Sequence, residues 1–196
     1  MNKTYLNEFH AQNNGNLVDF SGWEMPINYG SQIIEHNEVR TNVGIFDVTH
    51  MAVFDFCGDN QVEFLRYLIP NDVNKILDSK RAIYSPLLNE TGGILDDLIV
   101  YHLGDRNFRI ISNCATRDQN NDWFKDKAKA FNVEVKFQDD ASIIAIQGPN
   151  SQKILSAVYD LNLNNFHIYH DDEVMIARTV IPVSSVLKSY LTKPRV

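Results

Sequence analysis

Hydrophobic and polar residues alternate along several short stretches of this chain and recur at helical spacing along others. Residues 51–56 alternate, with Ala52, Phe54 and Phe56 on one side, and this pattern predicts a strand. Apolar residues at helical spacing within 59–69 predict an amphipathic helix, which ends before Pro70 because proline cannot continue a helix.

The clearest hairpin pattern lies in the middle of the chain. Residues 82–88 and 94–103 form two apolar arms, and a turn that contains Gly92 and Gly93 separates them. Glycine at such a turn supplies the positive φ that other residues avoid. Further strands are expected at 45–48, 108–112, 133–137, 142–147 and 174–179, and further helices at 32–42, 116–131 and 150–159. This mixture of hairpins and helices predicts an α+β fold.

Composition narrows the classes of function. A chain of 196 residues fits one domain or a domain and a half. Its net charge of -7 and the lack of a basic block argue against a nucleic-acid partner. No apolar run approaches the roughly 20 residues that span a bilayer, and the first residues lack the apolar segment of a signal peptide. We therefore expect a cytoplasmic protein without a membrane partner.

Candidate chemistry is concentrated in the second arm of the hairpin. The period of a strand places Asp97 on the same face as Tyr101 and places Asp96 on the opposite face. An acidic residue inside an apolar strand is costly unless it has partners, so we expect Asp96 to be a hydrogen-bonded structural carboxylate. The residues alone favour a structural role for Asp97 as well.

Other polar residues carry weaker signals. His50 follows Asp47 closely, and we interpret it as a core histidine that fixes a loop rather than as an acid–base group. The histidines, tyrosine and aspartates of 167–172 fit no standard metal spacing, and we interpret this cluster as a solvated loop. Cys57 and Cys114 also lack zinc spacing and are expected to be reduced thiols. No metal site is predicted.

A series of short motifs resembles one family along nearly the whole chain. The motifs, in order, are Val18-Asp19-Phe20-Ser21-Gly22-Trp23-Glu24-Met25-Pro26, Gly44-Ile45-Phe46-Asp47-Val48-Thr49-His50-Met51, Asn71-Asp72-Val73, Ala82-Ile83-Tyr84-Ser85, Gly92-Gly93-Ile94-Leu95-Asp96-Asp97-Leu98-Ile99-Val100-Tyr101, Asn113-Cys114-Ala115-Thr116-Arg117-Asp118, Ile146-Gln147-Gly148-Pro149 and Ala177-Arg178-Thr179. Together they resemble the glycine cleavage T proteins, which are tetrahydrofolate-dependent aminomethyltransferases. The similarity covers nearly all of residues 1–179, in order and with almost no gaps.

This resemblance implies a fold, a reaction and a site. The fold is the N-terminal, folate-binding part of a three-domain, cloverleaf-like architecture. The reaction transfers the one-carbon unit of an aminomethyl group from the lipoylated H protein to tetrahydrofolate, a co-substrate, and releases ammonia. Asp97 matches the family's catalytic carboxylate, and Met51, Tyr84, Tyr101 and Asn113 match residues of its folate pocket.

The chain departs from the family after Thr179. The family continues Gly-Tyr-Thr-Gly-Glu, whereas this chain reads Val180-Ile181-Pro182-Val183-Ser184. Moving the reading frame back by one base allows residues 180–189 to spell Gly-Tyr-Thr-Gly-Glu-Phe-Gly-Phe-Glu-Ile, with the family's pterin-binding glutamate at position 184. We therefore expect 1–179 to be an incomplete folate-binding region and 180–196 to be an out-of-frame tail that packs poorly, in a truncated chain whose activity is in question.

Three other functions remain open at this point. Folate-binding relatives serve iron–sulfur assembly without catalysis, others form the folate domain of a demethylating dehydrogenase, and a degraded gene product would have no activity. The intact Asp96-Asp97 pair and the run Gly22-Trp23-Glu24-Met25-Pro26 favour the T proteins.

Overall fold

The chain folds into two compact units in a computed structural model. The structure describes residues 1–78, 81–104, 107–159, 168–170, 174–178 and 186–191, with only the backbone at 169–170 and 186–191. One unit contains Met1–His50 and Ser142–Val196, and the other contains Met51–Ala141. Among the described residues, no helix is long and apolar enough to cross a membrane.

The first 50 residues form short strands and two helices. The elements are β1 (Asn2–Lys3), α1 (Asn7–Gln12), β2 (Leu17–Phe20), β3 (Trp23–Pro26), α2 (Gln32–Thr41) and β4 (Gly44–Asp47). The three strands β1, β3 and β2 form a small sheet in that order. Helix α2 begins after Ser31, whose side chain accepts a hydrogen bond from the Ile34 N–H as an N-cap.

The second unit is a five-stranded antiparallel sheet with helices. Its elements are β5 (Ala52–Gly58), α3 (Gln61–Leu68), α4 (Asn74–Leu77), β6 (Ala82–Leu88), β7 (Ile94–Gly104), β8 (Asn107–Ser112), α5 (Arg117–Ala128), a 3-10 turn (Lys129–Phe131) and β9 (Val133–Phe137). The strand order is β6-β7-β8-β5-β9. The predicted hairpin is confirmed as β6 and β7, which pair from Ala82 opposite Tyr101 to Leu88 opposite Ile94.

One face of this sheet carries the core of the second unit. Phe54 and Phe56 of β5 meet Phe124 of α5, with ring centroids 5.1 and 5.3 Å apart. Phe64 of α3 packs on Phe56 at 5.2 Å. These aromatic side chains are fully buried, and Leu98 and Val100 of β7 join the same cluster. Burial of this apolar face is the main force that fixes the register of the strands.

The remainder of the first unit is a second five-stranded sheet. Its elements are β10 (Ser142–Gln147), α6 (Ser151–Tyr159), β11 (Ile168–His170), β12 (Val174–Arg178) and β13 (Val186–Leu191), and the strand order is β11-β12-β13-β10-β4. A small core contains Ile146, Leu155, Val174 and Ile176.

Two expectations for the C-terminal part differ from this structure. Ile168–His170, interpreted as part of a solvated loop, forms a strand that pairs with β12, because an edge strand needs only backbone partners on one side. Val186–Leu191 belongs to the supposed tail, yet its backbone pairs with β10 on one side and β12 on the other. Ladder hydrogen bonds join main-chain groups, so a strand can form there whatever the side chains are. Residues 180–185 and 192–196 lie outside the described residues.

The turn between β6 and β7 depends on both glycines for different reasons. Gly92 has a φ of +82°, as predicted for this turn. Gly93 does not have a positive φ, but a Cβ there would lie 2.8 Å from the Asn89 side chain. Oδ1 of Asn89 accepts hydrogen bonds from the Thr91 and Gly93 N–H groups and so closes the turn.

Candidate active site

Two adjacent carboxylates of β7 lie in opposite environments. Asp96 faces the helices and is only 8% exposed, whereas Asp97 is exposed. Because successive side chains of a strand point to opposite faces, the register that buries Leu98 and Val100 also buries Asp96. The predicted separation of the two aspartates is therefore confirmed.

Asp96 accepts five hydrogen bonds from its surroundings. Its Oδ1 accepts from the Asp97 N–H at 2.8 Å and from Nδ2 of Asn113 at 2.7 Å. Its Oδ2 accepts from the Asn113 N–H at 3.3 Å, the Thr116 hydroxyl at 2.6 Å and Nδ2 of Asn120 at 2.6 Å. Asp96 is thus the hydrogen-bonded structural carboxylate that the sequence predicts.

These donors keep Asp96 ionised. Burial alone would raise the pKa of the Asp96 carboxyl, but the hydrogen bonds from Thr116, Asn113 and Asn120 outweigh burial and lower this pKa below its ordinary value. Thr116 and Asn120 belong to the start of α5, where the positive end of the helix dipole also favours an anion.

Asp97 is held by donors from the strands on both sides of β7. The Tyr84 hydroxyl of β6 donates to Oδ2 of Asp97 at 2.9 Å. Nδ2 of Asn113, which follows β8, donates to Oδ1 of Asp97 at 3.1 Å. One side-chain amide therefore bridges the two carboxylates. The bond to Asp97, followed by burial, raises the pKa of Tyr84, so this phenol stays a hydrogen-bond donor at neutral pH.

Two further predicted site residues, Tyr101 and Met51, lie within β7 and directly before β5. Tyr101 shares the face of Asp97, four residues further along β7, but it is fully buried and presents no surface to a ligand. Asp97 and Tyr101 therefore share a face of β7 but differ in exposure. Met51 lies immediately before β5 and is half-buried. Tyr84, Asp97 and Asn113 are the predicted residues that the structure brings into contact.

Two of the residues that support Asp96 could not be identified from the sequence. Thr116 and Asn120 lie in or beside a motif that the resemblance singles out, but only the packing of α5 on β7 brings them to the carboxylate. A threonine directly before a helix predicts an N-cap. Here the Thr116 side chain makes no capping bond, and its hydroxyl donates to Asp96 instead.

The first unit contains a buried histidine that the sequence did not reveal. Nε2 of His10 lies 3.0 Å from Oδ2 of Asp47, and Nδ1 of His10 lies 2.6 Å from the Tyr29 hydroxyl. The partner of Asp47 is therefore His10 and not the nearby His50, whose ring contacts Phe20 with centroids 5.1 Å apart. Burial would raise the pKa of Asp47, but hydrogen bonds from His10 and Thr49 lower it overall.

Comparison with known proteins identifies the family. A family model described as the GCVT N-terminal domain matches residues 6–190. The chain belongs to this family. Its GCVT fold is also similar to the solved glycine cleavage system aminomethyltransferase T from Bartonella henselae, with a TM-score of 0.87 and 28% identity. That match covers 97% of this chain and 53% of the other, so this GCVT chain spans about half the length of that protein.

A second solved structure shares the fold at greater distance. The heterotetrameric sarcosine oxidase from Corynebacterium sp. U-96 matches with a TM-score of 0.53 and 12% identity. The match covers 81% of this GCVT chain and 80% of the other. At this identity the similarity concerns the fold alone.

Proposed function

We propose that this chain carries the catalytic carboxylate and part of the folate pocket of a tetrahydrofolate-dependent aminomethyltransferase of glycine cleavage. The reaction takes the one-carbon unit of an aminomethyl group from a lipoylated H protein and releases ammonia. The observation that carries the proposal is the exposed Asp97 carboxylate, which Tyr84 and Asn113 orient from neighbouring strands in a chain of the GCVT family.

The accessible groups of the site suit a flat, polar ring system such as a pterin. Asp97 supplies hydrogen-bond acceptors, and Asn113 supplies an amide beside it. Tyr84 is 51% exposed and offers an aromatic surface next to both. Tetrahydrofolate, when bound, supplies the nitrogen that accepts the one-carbon unit. Met51 is a further candidate contact, and Tyr101 is left out because it is fully buried.

Asp97 acts by its charge and its fixed position. When ammonia leaves, positive charge develops on the one-carbon unit, and a carboxylate that is already oriented stabilises that charge without reorganisation. Two donors restrict the rotation of the Asp97 carboxylate, so the entropy cost of orienting it is met during folding. This chemistry requires neither a metal nor a covalent nucleophile from the described residues.

None of the three alternative interpretations of the sequence gains support from the comparisons. The likeness to sarcosine oxidase is a likeness of fold at 12% identity, so it does not favour a demethylating function. The stronger match is to an aminomethyltransferase.

The test begins with the gene sequence around the Thr179 codon, where the reading frame is expected to change. Sequencing the locus should reveal whether one base is missing there, and restoring that base should yield a longer protein with glutamate at position 184. In that protein, Asp97→Asn should lower formation of methylenetetrahydrofolate on the order of a hundredfold or more, with a smaller effect on folate affinity. Ammonia release from aminomethyl-loaded H protein is the parallel assay.

The matched control is Asp118→Asn, which removes an exposed carboxylate from the first turn of α5. This variant should keep turnover near that of the wild type. Near-normal turnover of Asp97→Asn, with the fold intact by thermal melt, would refute the role of Asp97. An inactive wild-type protein with its frame restored would refute the proposed reaction.

A further inference from the structure

We propose that Asp96 is a positioning residue for Asp97 and acts through the side-chain amide of Asn113. The proposal rests on the proposed function, and it gives the buried carboxylate a role in the reaction besides its role in stability. Asp96 itself faces the helices and touches no reacting group.

The side-chain amide of Asn113 contacts both aspartates. Its Nδ2 lies 2.7 Å from Oδ1 of Asp96, 3.1 Å from Oδ1 of Asp97 and 3.3 Å from the Asp97 carbonyl oxygen. An amide nitrogen carries two hydrogens, so one serves Asp96 and the other is shared between the two oxygens of Asp97. The shortest of these contacts is the one to Asp96, which therefore anchors the amide.

Asp96 also decides which way the amide faces. An ionised carboxylate only accepts hydrogen bonds, so the side-chain nitrogen of Asn113, and not its oxygen, must point toward both aspartates. Rotation of the amide by half a turn would place its oxygen against two carboxylates at the cost of charge–dipole repulsion. The orientation of Asn113 and the hydrogen bond that it donates to Asp97 are therefore consequences of a charged Asp96.

Asp96 is in turn rigidly fixed. It is 8% exposed, and Thr116 and Asn120 hold its other oxygen at 2.6 Å each. A buried carboxylate with a full set of donors has few alternative positions. Residues at the start of α5 therefore restrain Asp96, and Asp96 restrains the amide of Asn113. That amide in turn restrains the exposed Asp97 carboxylate, which would rotate freely if only solvent surrounded it.

Substitution of Asp96 by asparagine breaks this connection while keeping the volume. The new side chain has one acceptor oxygen for five donors, and its own amide hydrogens face donors. Asn113 then loses its anchor and its preferred direction. Replacement of Asn113 by alanine removes the same connection and leaves both aspartates in the chain.

Tyr84 provides a readout of Asp97 that is independent of activity. Its hydroxyl donates to Oδ2 of Asp97, so the phenol pKa reports whether that carboxylate stays in place. The experiment is a pH titration of the chain labelled with carbon-13 at the tyrosine ζ position and followed by NMR. The chain contains 8 tyrosines, and Tyr84→Phe assigns the signal.

The Tyr84 pKa should be lower in Asp96→Asn and in Asn113→Ala than in the wild type. It should move toward the Tyr84 pKa of Asp97→Asn, in which the carboxylate itself is absent. The control is Thr116→Val, which removes one of the two side-chain donors to Oδ2 of Asp96. Asn120 still holds that oxygen, and the bond from Asn113 to Oδ1 of Asp96 stays intact. Thr116→Val should lower thermal stability without moving the Tyr84 titration. If the Tyr84 phenol of Asn113→Ala titrates at the wild-type pKa, the proposal is wrong. This variant tests the proposal even if Asp96→Asn does not fold.

Kinetics of the protein with its frame restored supply the second measurement. Asp96→Asn and Asn113→Ala should each lower kcat by about tenfold, as expected for one lost charge-assisted hydrogen bond, with little change in KM for the H protein. The double variant should lose no more than either single variant, because both act through one contact. If the two losses in kcat multiply in the double variant, Asp96 and Asn113 act separately and the proposal is wrong. If the wild type shows no transfer activity, the proposed function fails and the Tyr84 titration still decides the positioning.

Discussion

The Tyr84 hydroxyl donates a 2.9 Å hydrogen bond to Oδ2 of Asp97, although Pro86 and not Tyr84 is the residue directly opposite Asp97 in the neighbouring strand. Tyr84 is the diagonal neighbour, and a long aromatic side chain reaches that far across an antiparallel pair. The contact joins the exposed carboxylate to β6 as Asn113 joins it to the end of β8.

Removal of this hydroxyl should affect the reaction more than the fold. In the protein with its frame restored, Tyr84→Phe should lower turnover severalfold to about tenfold, because Asp97 loses one of its two side-chain donors. The free energy of unfolding should change by less than about 0.5 kcal/mol, since Tyr84 is 51% exposed. Product formation and urea denaturation of the same samples measure the two effects. A loss of stability without loss of turnover would contradict this assignment.

The acid side of the stability profile should depend on Asp96. Its pKa is lower in the folded chain than the ordinary 3.8, so the folded state binds this proton less readily than the unfolded state does. The resulting stabilisation is present above about pH 4 and disappears as pH falls through the lower, folded-state pKa. Asp96→Asn should therefore lower stability at pH 7 and flatten its decline below pH 4. The free energy of unfolding of the wild type and of Asp96→Asn, measured by denaturation between pH 7 and pH 3, tests this prediction. If the two profiles run parallel, the prediction is wrong.

The buried His10 should be a major source of stability in the first unit. His10→Phe keeps a ring but removes both nitrogens, so the fully buried Asp47 carboxylate loses a donor at 3.0 Å. Loss of a hydrogen bond to a buried charged group costs about 1.5–3 kcal/mol. Tyr29→Phe removes only the outer bond of the same series and should cost about 1 kcal/mol. Equal losses in the two variants, measured by chemical denaturation, would show that Asp47 does not depend on His10.

Two glycines with positive φ should differ in their tolerance of alanine. A Cβ at Gly148, where φ is +123°, would lie 2.5 Å from the Asn42 carbonyl oxygen and 2.7 Å from that of Val39. Both neighbours are backbone and cannot move aside, so Gly148→Ala should destabilise by about 3 kcal/mol. Gly92 has a φ of +82° and open space around it, so Gly92→Ala should cost about 1 kcal/mol. Thermal melts of both variants decide the order, and the reverse order would contradict it.

The sequence by itself determined the local strands and helices and placed Asp96 and Asp97 on opposite faces of one strand. Alternation of apolar residues identified β5, β6 and β7, and the period of two that places Phe54 and Phe56 in the core also places Asp96 inward and Asp97 outward. These features depend on neighbours within a few positions, which the order of residues displays directly. The motifs likewise indicated the family that the comparison then showed.

Only the tertiary structure decided the partners of the polar groups. Asp47 pairs with His10, 37 positions away, and Asp96 binds Asn113, Thr116 and Asn120 from another strand end and a helix. The burial of Tyr101 and the pairing of Val186–Leu191 between β10 and β12 also depend on which elements meet. A hydrogen bond depends on a separation of about 3 Å in space. Separation along the chain does not encode that distance, so the orientation of Asp97 by Tyr84 and Asn113 emerges only when three strands are brought side by side.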